Sequence, residues 1–245
     1  MKILRLLAAL ALSTAAALAQ PAGDGYQAML AGMEQDLAAA EKALESSPNS
    51  IAELSTAGNG ALFLGKYPQA VAYFRRMIEI EPAQDAPHWR LGIAYYFNRQ
   101  FKESAAQFAK YHGYDARDRE NGLWKFLGDV KVSGLAKART EMLPYKQFDR
   151  EPFPSLYDLF GGQVSPAQFT ADLEKRGAAR DSRVKFFALY YGGLFDALDG
   201  RKEEGLQKVR QAVALFTPEE ASATGPGYMW QVARVHAGWL AADSK

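Results

Sequence analysis

The feature of this 245-residue chain that most constrains its fold is a set of landmark residues that recur 34 positions apart. The landmarks are small, aromatic or proline residues: Pro48 and Pro82, Gly58 and Gly92, Tyr67 and Phe101, Ala70 and Ser104, and Phe74 and Phe108. A period of this length is typical of helix–turn–helix units that bury their apolar faces only by stacking on one another. The spacing therefore predicts an all-α fold built from stacked helical pairs.

The small landmarks are expected where the two helices of a pair cross. Gly58 and Gly92 lie on the first helices, and Ala70 and Ser104 lie opposite them on the second helices. Small side chains at such points let two helix axes approach closely. The repeat therefore predicts two close crossings, one in each pair.

The turns between paired helices carry residues with special backbone roles. Gly65 is predicted to adopt the left-handed conformation that ends a helix, because glycine has no Cβ atom to oppose it. Its counterpart 34 residues on is Arg99, so the neighbouring Asn98 is predicted to take the left-handed role there. Pro68 suits the first turn of a second helix, where its missing N–H is no loss.

The rest of the chain divides around these two units. Gly25–Ser46 is predicted to be a long capping helix, and Tyr228–Ala242 a closing helix. Gly200 and Gly205 are predicted to mark the turn and the crossing of a last helical pair. The resulting segments are a signal peptide (1–19), an N-terminal capping helix (20–50), two regular units (51–118), degenerate helical pairs with a Pro/Gly-rich connection (119–185), a C-terminal unit (186–218), and a closing helix with a tail (219–245).

Two stretches carry a resemblance to a known family. "LGKYPQAVAYFRRMIEIEP" (Leu64–Pro82) resembles the second half of the tetratricopeptide repeat consensus, and "WRLGIAYYFNRQFKESAAQF" (Trp89–Phe108) resembles its first half and turn. The resemblance implies a right-handed superhelical solenoid of helix–turn–helix repeats with capping helices.

The order of the parts resembles the periplasmic NlpI-type tetratricopeptide lipoproteins. The likeness is carried by Arg90–Asp118, the "LWKFL" that begins at Leu123, and "PSLYDLFGGQVSPAQFTADLEKRG" (Pro154–Gly177). In that subfamily the protein is an adaptor that dimerises and presents cell-wall hydrolases to a protease. The resemblance implies such a role and a homodimer. The chain departs from the subfamily in having no cysteine to carry a lipid.

The first twenty residues, "MKILRLLAALALSTAAALAQ", have the layout of a secretory signal. A short basic start precedes an Ala-rich apolar run, which ends in small residues that favour cleavage after Ala19. This pattern predicts a periplasmic or secreted protein with no membrane span after cleavage. An uncleaved membrane anchor is the alternative, although the run is shorter than a spanning helix requires.

Charge and cysteine content exclude other classes of function. The chain has 29 basic and 28 acidic residues, and setting aside Lys2 and Arg5 in the first segment leaves 27 basic residues against 28 acidic ones. Without a basic field to neutralise phosphates, nucleic acid is not an expected partner. The absence of cysteine excludes disulfides and thiolate chemistry.

No motif in the sequence predicts catalysis. The three histidines His88, His112 and His236 do not have metal-ligand spacing, and no nucleophile elbow or phosphate-binding glycine loop is present. Paired carboxylates such as Glu203 and Glu204 are interpreted as solvated helix faces. We therefore expect no catalytic residue, no metal and no cofactor.

A surface for binding remains. Stacked repeats form a concave groove that takes extended peptides or partner helices. The residues predicted to line that groove are Asn59, Phe63, Trp89, Ile93, Tyr96 and Phe97, with Lys125 and Asp129 extending it. For Trp89 and Tyr96 a core position is the alternative.

The sequence thus predicts a non-catalytic exported scaffold or adaptor that binds a protein or peptide partner in the bacterial cell envelope. One alternative is a peptide- or glycan-binding protein of cell-wall turnover, in which Trp89 and Tyr96 supply an aromatic platform. A hydrolase with an unrecognised site is the other alternative.

Overall fold

The structure, a computed structural model, describes residues 24–177 and 180–243. This part of the chain is all-helical, with no β-strand, which confirms the predicted all-α class. The proposed signal peptide, residues 1–19, lies outside the described residues. The helices are α1 (Asp24–Ser46), α2 (Ile51–Phe63), α3 (Tyr67–Ile80), α4 (Trp89–Phe97), α5 (Phe101–Tyr114), α6 (Arg119–Ser133), α7 (Leu135–Thr140), α8 (Phe153–Gly161), α9 (Pro166–Lys175), α10 (Ser182–Leu198), α11 (Lys202–Val213), α12 (Pro218–Ala223) and α13 (Tyr228–Asp243).

Neighbours in sequence are neighbours in space. Each helix from α1 to α6 packs against the next one along the chain, and α10 packs against α11. In the predicted division of the chain, α2, α4 and α6 are the first helices of successive pairs. None of the helices in the described residues is both long enough and apolar enough to cross a membrane.

The predicted crossings are confirmed, with an aromatic ring as the closest neighbour of each glycine. A Cβ atom placed on Gly92 would lie 2.6 Å from Cε2 of Phe108, and Gly58 meets Phe74 in the same way. The Ser104 hydroxyl donates a hydrogen bond of 2.8 Å to the Gly92 carbonyl oxygen. Because real Cβ contacts are never this short, the close approach of α4 and α5 depends on glycine at position 92.

In both turns the left-handed residue lies at the same position of the repeat, even where the type of a neighbouring residue favours that conformation more. Gly65 adopts a φ of +77°, as predicted. The prediction for Asn98 is wrong, because its φ is −78° while Arg99 has a φ of +60°. The two turns share one hydrogen-bond pattern, although the left-handed position holds glycine in one and arginine in the other. The Arg99 guanidinium lies 5.1 Å from the ring centroid of Trp239, a cation–π contact that offsets part of the backbone strain.

The closing helix α13 lies against the first members of the units. We call the surface that α2, α4 and α6 present to it the inner face. The ring of Tyr228 lies 4.7 Å from that of Phe63 on α2, and the ring of His236 lies 5.5 Å from that of Tyr96 on α4. Arg234 is buried and donates hydrogen bonds to the Tyr26 hydroxyl and to the Phe63 carbonyl oxygen. Thus α13 joins the two ends of the described chain.

Candidate functional site

The predicted groove residues near the start of the inner face meet around Tyr228 of α13. The rings of Phe63 and Trp89 each lie 4.7 Å from the Tyr228 ring. Asn59 accepts a hydrogen bond of 3.0 Å from Arg90. Trp89 is half-buried, a position between the open groove and the core that the sequence offered as alternatives.

Three of the predicted groove residues are buried rather than exposed in an open groove. Ile93, Tyr96 and Phe97 are only 1%, 2% and 2% exposed, so the prediction that they line an open groove is wrong. The physical reason is α13, whose His236 and Trp239 rings lie 5.5 and 5.7 Å from the Tyr96 ring. The closing helix covers the apolar surface that the repeat would otherwise leave exposed.

Lys125 and Asp129 do not join the other predicted residues. They form an ion pair of 2.6 Å along α6, and each side chain is 15% exposed. Lys125 also donates to the carbonyl oxygen of Glu141, just after α7. The contacts of this pair therefore run toward α7 rather than toward the α4 residues.

A pocket beside α13 on the inner face is called the inner pocket here. It has a volume of about 230 Å³ and lies between α4, α5, α6 and α13. Two predicted residues, Trp89 and Ile93, line it. The complete lining is Trp89, Ile93, Phe108, Tyr111, Asp118, Glu120, Asn121, Trp124 and Met229.

The polar wall of the inner pocket belongs to a buried network. Tyr191 of α10 donates a hydrogen bond of 2.7 Å to one oxygen of Glu120, and Arg150 donates to the other. Arg150 also donates to Asp118 at 3.2 Å. Burial raises the pKa of Glu120 to about 7, although the positive charge of Arg150 opposes that rise. Burial also raises the pKa of Asp118.

Sequence reasoning missed Glu120 and Asp118. Asp118 accepts a hydrogen bond from the Glu120 N–H and so caps the start of α6. A carboxylate in a first helical turn is usually solvated and stabilised by the helix dipole, so the sequence pattern gives no sign of burial. In the structure the neighbouring Gly122 marks the close packing at this helix start, since a Cβ atom there would lie 2.6 Å from the Tyr145 hydroxyl of the connection.

A second open site lies between α8, α9, α10 and α11, and we call it the apolar cleft. Its volume is about 260 Å³. The half-buried side chains Val184, Ala188 and Leu189 of α10 form one wall. Its complete lining is Leu159, Pro166, Phe169, Thr170, Leu173, Glu174, Val184, Lys185, Ala188, Leu189, Gly192, Asp196 and Lys208.

Charges border the apolar cleft. Glu174 on α9 and Lys185 on α10 are exposed, so the two long walls carry opposite signs. At one end the buried Asp196 pairs with Lys208 and with Arg201, both at 2.5 Å. Gly192 keeps the floor open, since a Cβ atom there would meet only the Phe169 ring, 4.0 Å away.

No protein-family model matches the chain, and no curated protein matches its sequence. Among the described residues, no three histidine or acidic side chains are grouped closely enough to hold a metal ion. The two sites differ in character: one is a small polar pocket with aromatic walls, and the other is an apolar cleft with a charged border.

Proposed function

We propose that this chain is an exported, non-catalytic adaptor that binds an amphipathic helical segment of a partner protein in the apolar cleft. The observation that carries this proposal is a solvent-accessible apolar cleft of about 260 Å³ between α9 and α10. We also propose that the helical pairs follow the right-handed superhelical path of a tetratricopeptide solenoid. The 34-residue register and the sequential packing of α1 to α6 support that path.

The size of the cleft favours side-chain anchors over a cofactor. Its volume is below the range of about 300–1,000 Å³ that is common for small-molecule pockets. One or two large apolar side chains fit such a space, and an amphipathic helix presents them at i and i+3 or i+4. Phe169, Leu173 and Leu189 are the apolar residues that such anchors would contact.

The border of the cleft favours a partner with charges on both sides of its apolar stripe. Lys185 suits an acidic residue along the α10 side, and Glu174 suits a basic residue along the α9 side. Such rim charges contribute more to specificity and to the association rate than to affinity.

The location and the oligomeric state belong to the same proposal. The signal-like first segment supports export to the cell envelope. The order of helical segments, which resembles envelope adaptors, supports a homodimer, and light scattering of the purified protein measures whether two copies associate.

A binding role accounts for the carboxyl groups of the inner pocket better than hydrolysis does. Both oxygens of Glu120 already accept hydrogen bonds, from Tyr191 and from Arg150. A general acid needs a proton aimed at its substrate. Asp118 likewise holds the end of α6 and Arg150.

The test is a matched pair of charge insertions. Val184 is half-buried in the cleft wall, whereas Val132 on α6 is 56% exposed and outside it. A partner is captured from envelope extract, its binding segment is synthesised, and the affinity of the segment is measured by calorimetry. We expect Val184→Glu to weaken binding by about tenfold or more, since a carboxylate would be desolvated in an apolar contact. Val132→Glu should leave the affinity unchanged. Equal affinities of the two variants would overturn the proposal.

A further inference from the structure

We propose that the inner pocket binds a cationic nitrogen group carried on an apolar stem, as in a lysine or arginine side chain or a free alkylamine. The inference goes beyond the adaptor role, because the inner pocket and the apolar cleft share no lining residue. The polar lining of the pocket consists of Asp118, Glu120 and Asn121, and none of the described residues that line it is basic.

The nearby cations do not neutralise the pocket. Arg150 is the one described cation that hydrogen-bonds to Asp118 and Glu120, so two carboxylates share a single guanidinium. Arg119 is turned away: it donates to the Gln147 carbonyl oxygen, and its guanidinium lies 5.2 Å from the Tyr145 ring centroid. Above pH 7, where Glu120 is ionised, the two carboxylates and the single guanidinium leave an excess of one negative charge.

The carboxylates also keep hydrogen-bonding capacity. An ionised carboxylate accepts about four hydrogen bonds. In the structure Glu120 accepts one from Tyr191 and one from Arg150. Asp118 accepts from Arg150, from Asn121 at 2.6 Å and from the Glu120 N–H. An ammonium group entering the pocket therefore finds unused acceptor positions on groups that are already held in place.

The walls of the pocket suit the stem and the charge of such a ligand. Trp89 and Tyr111 are half-buried and form the accessible rim, and Trp124 is buried deeper. Aromatic faces attract cations, and the attraction strengthens when water is excluded. Ile93 and Met229 supply apolar contacts for a methylene chain. The volume of about 230 Å³ suits a single long side chain better than a chain of sugar rings.

The probes separate the possible ligands. Nα-acetyl-lysine methylamide represents a peptide side chain, and n-butylamine represents a free amine. Nα-acetyl-norleucine methylamide has an apolar stem without the charge, and the disaccharide of N-acetylglucosamine represents a glycan. Binding is followed by tryptophan fluorescence, because Trp89 and Trp124 line the site. We expect the lysine amide or butylamine to bind. The tighter of the two shows whether the natural ligand is a peptide side chain or a free amine. The neutral probes should bind at least about tenfold more weakly.

The variants test the carboxylates themselves. Asp118→Asn keeps a side chain that caps helices well, and Glu120→Gln keeps the shape of the buried group. Both should weaken amine binding by about tenfold, the value of one charge-assisted hydrogen bond. Asp115→Asn is the matched control, since Asp115 lies three residues away, pairs with Arg117 and is outside the pocket lining. Thermal melting followed by circular dichroism checks that each variant is folded.

Several outcomes would overturn the inference. These are equal binding of norleucine and lysine amides, preferential binding of the disaccharide, no binding of any amine, or a loss in Asp115→Asn as large as in Asp118→Asn. None of these results would bear on the apolar cleft, so the adaptor proposal fails or succeeds separately.

Discussion

A Cβ atom placed on Gly193 would lie 2.6 Å from the carbonyl oxygen of Gly205, so α10 and α11 meet backbone against backbone. The neighbouring Gly192 faces the apolar cleft, where a Cβ atom would lie 4.0 Å from the Phe169 ring. Two adjacent glycines of one helix therefore have different roles: one allows a helix crossing and the other keeps a cavity open.

This difference predicts opposite effects of one substitution at neighbouring positions. Gly193→Ala should destabilise the protein by about 1–3 kcal/mol, because the methyl group forces two backbones apart. Gly192→Ala should be neutral or should stabilise it by up to about 1 kcal/mol, the helix propensity gained over glycine. Urea unfolding measures both free energies. If the two variants had equal stability, the close crossing of α10 and α11 would be refuted.

A second prediction concerns the contact of α13 with the first helices. Tyr26→Phe removes one hydrogen bond to Arg234 and should cost about 1 kcal/mol. Arg234→Met should cost more, about 3 kcal/mol, because it also leaves the Phe63 carbonyl oxygen without its buried donor. Hydrogen exchange should become faster in α1 in both variants. A Met variant as stable as the wild-type protein would show that Arg234 does not hold the ends together.

The third prediction is a pH dependence with two opposing causes. Burial lowers the pKa of His88 to about 4 and that of His236 to about 3, so unfolding takes up a proton at each below pH 6.5. Burial raises the pKa of Glu120 to about 7, so unfolding releases one proton between pH 4.5 and 7. Near pH 5.5 the balance is about one proton taken up, nearly two by the histidines minus nearly one released by Glu120. Stability should therefore fall as the pH falls, by about 1.4 kcal/mol per pH unit.

Two variants separate these contributions. His88 Nδ1 accepts a hydrogen bond from the Leu91 N–H, a capping role that asparagine also fills. In His88→Asn, unfolding should take up one proton fewer, so the free energy of unfolding should stay nearly constant between pH 5 and 6.5. Glu120→Gln should instead steepen the fall to about twice the wild-type slope. Chemical denaturation at several pH values measures both slopes, and unchanged slopes would contradict the assigned burial of these groups.

The sequence predicts the turns of this fold because each turn depends on residues that are close together in the chain. Gly65 and Gly200 adopt φ values of +77° and +90° at the two turns where the spacing places them. Asn98 was a wrong prediction because residue preference was weighed above position in the repeat. Arg99 accepts the left-handed conformation, and a contact with Trp239, 140 residues away, helps to offset the strain.

The candidate sites depend on long-range packing that the repeat pattern does not encode. Ile93 and Tyr96 have the spacing of groove residues, and only the position of α13 decides that they are buried. Glu120 has the sequence context of a solvated helix start, and Tyr191, 71 residues away, makes it part of a buried network. The apolar cleft forms where α9 meets α10, outside the two regular units from which the groove was predicted.

The most direct test of the adaptor account is to locate the partner by site-specific photo-crosslinking. A benzophenone amino acid is placed at Leu189 in the apolar cleft, at Trp89 on the rim of the inner pocket, or at Val132 as an exposed control. Each variant is incubated with envelope extract, irradiated and examined by mass spectrometry. The account predicts that one protein crosslinks strongly at position 189, through a segment with an apolar helical stripe, and not at 89 or 132. Crosslinking of that protein at 89 but not at 189 would place the partner on the inner face and contradict the account.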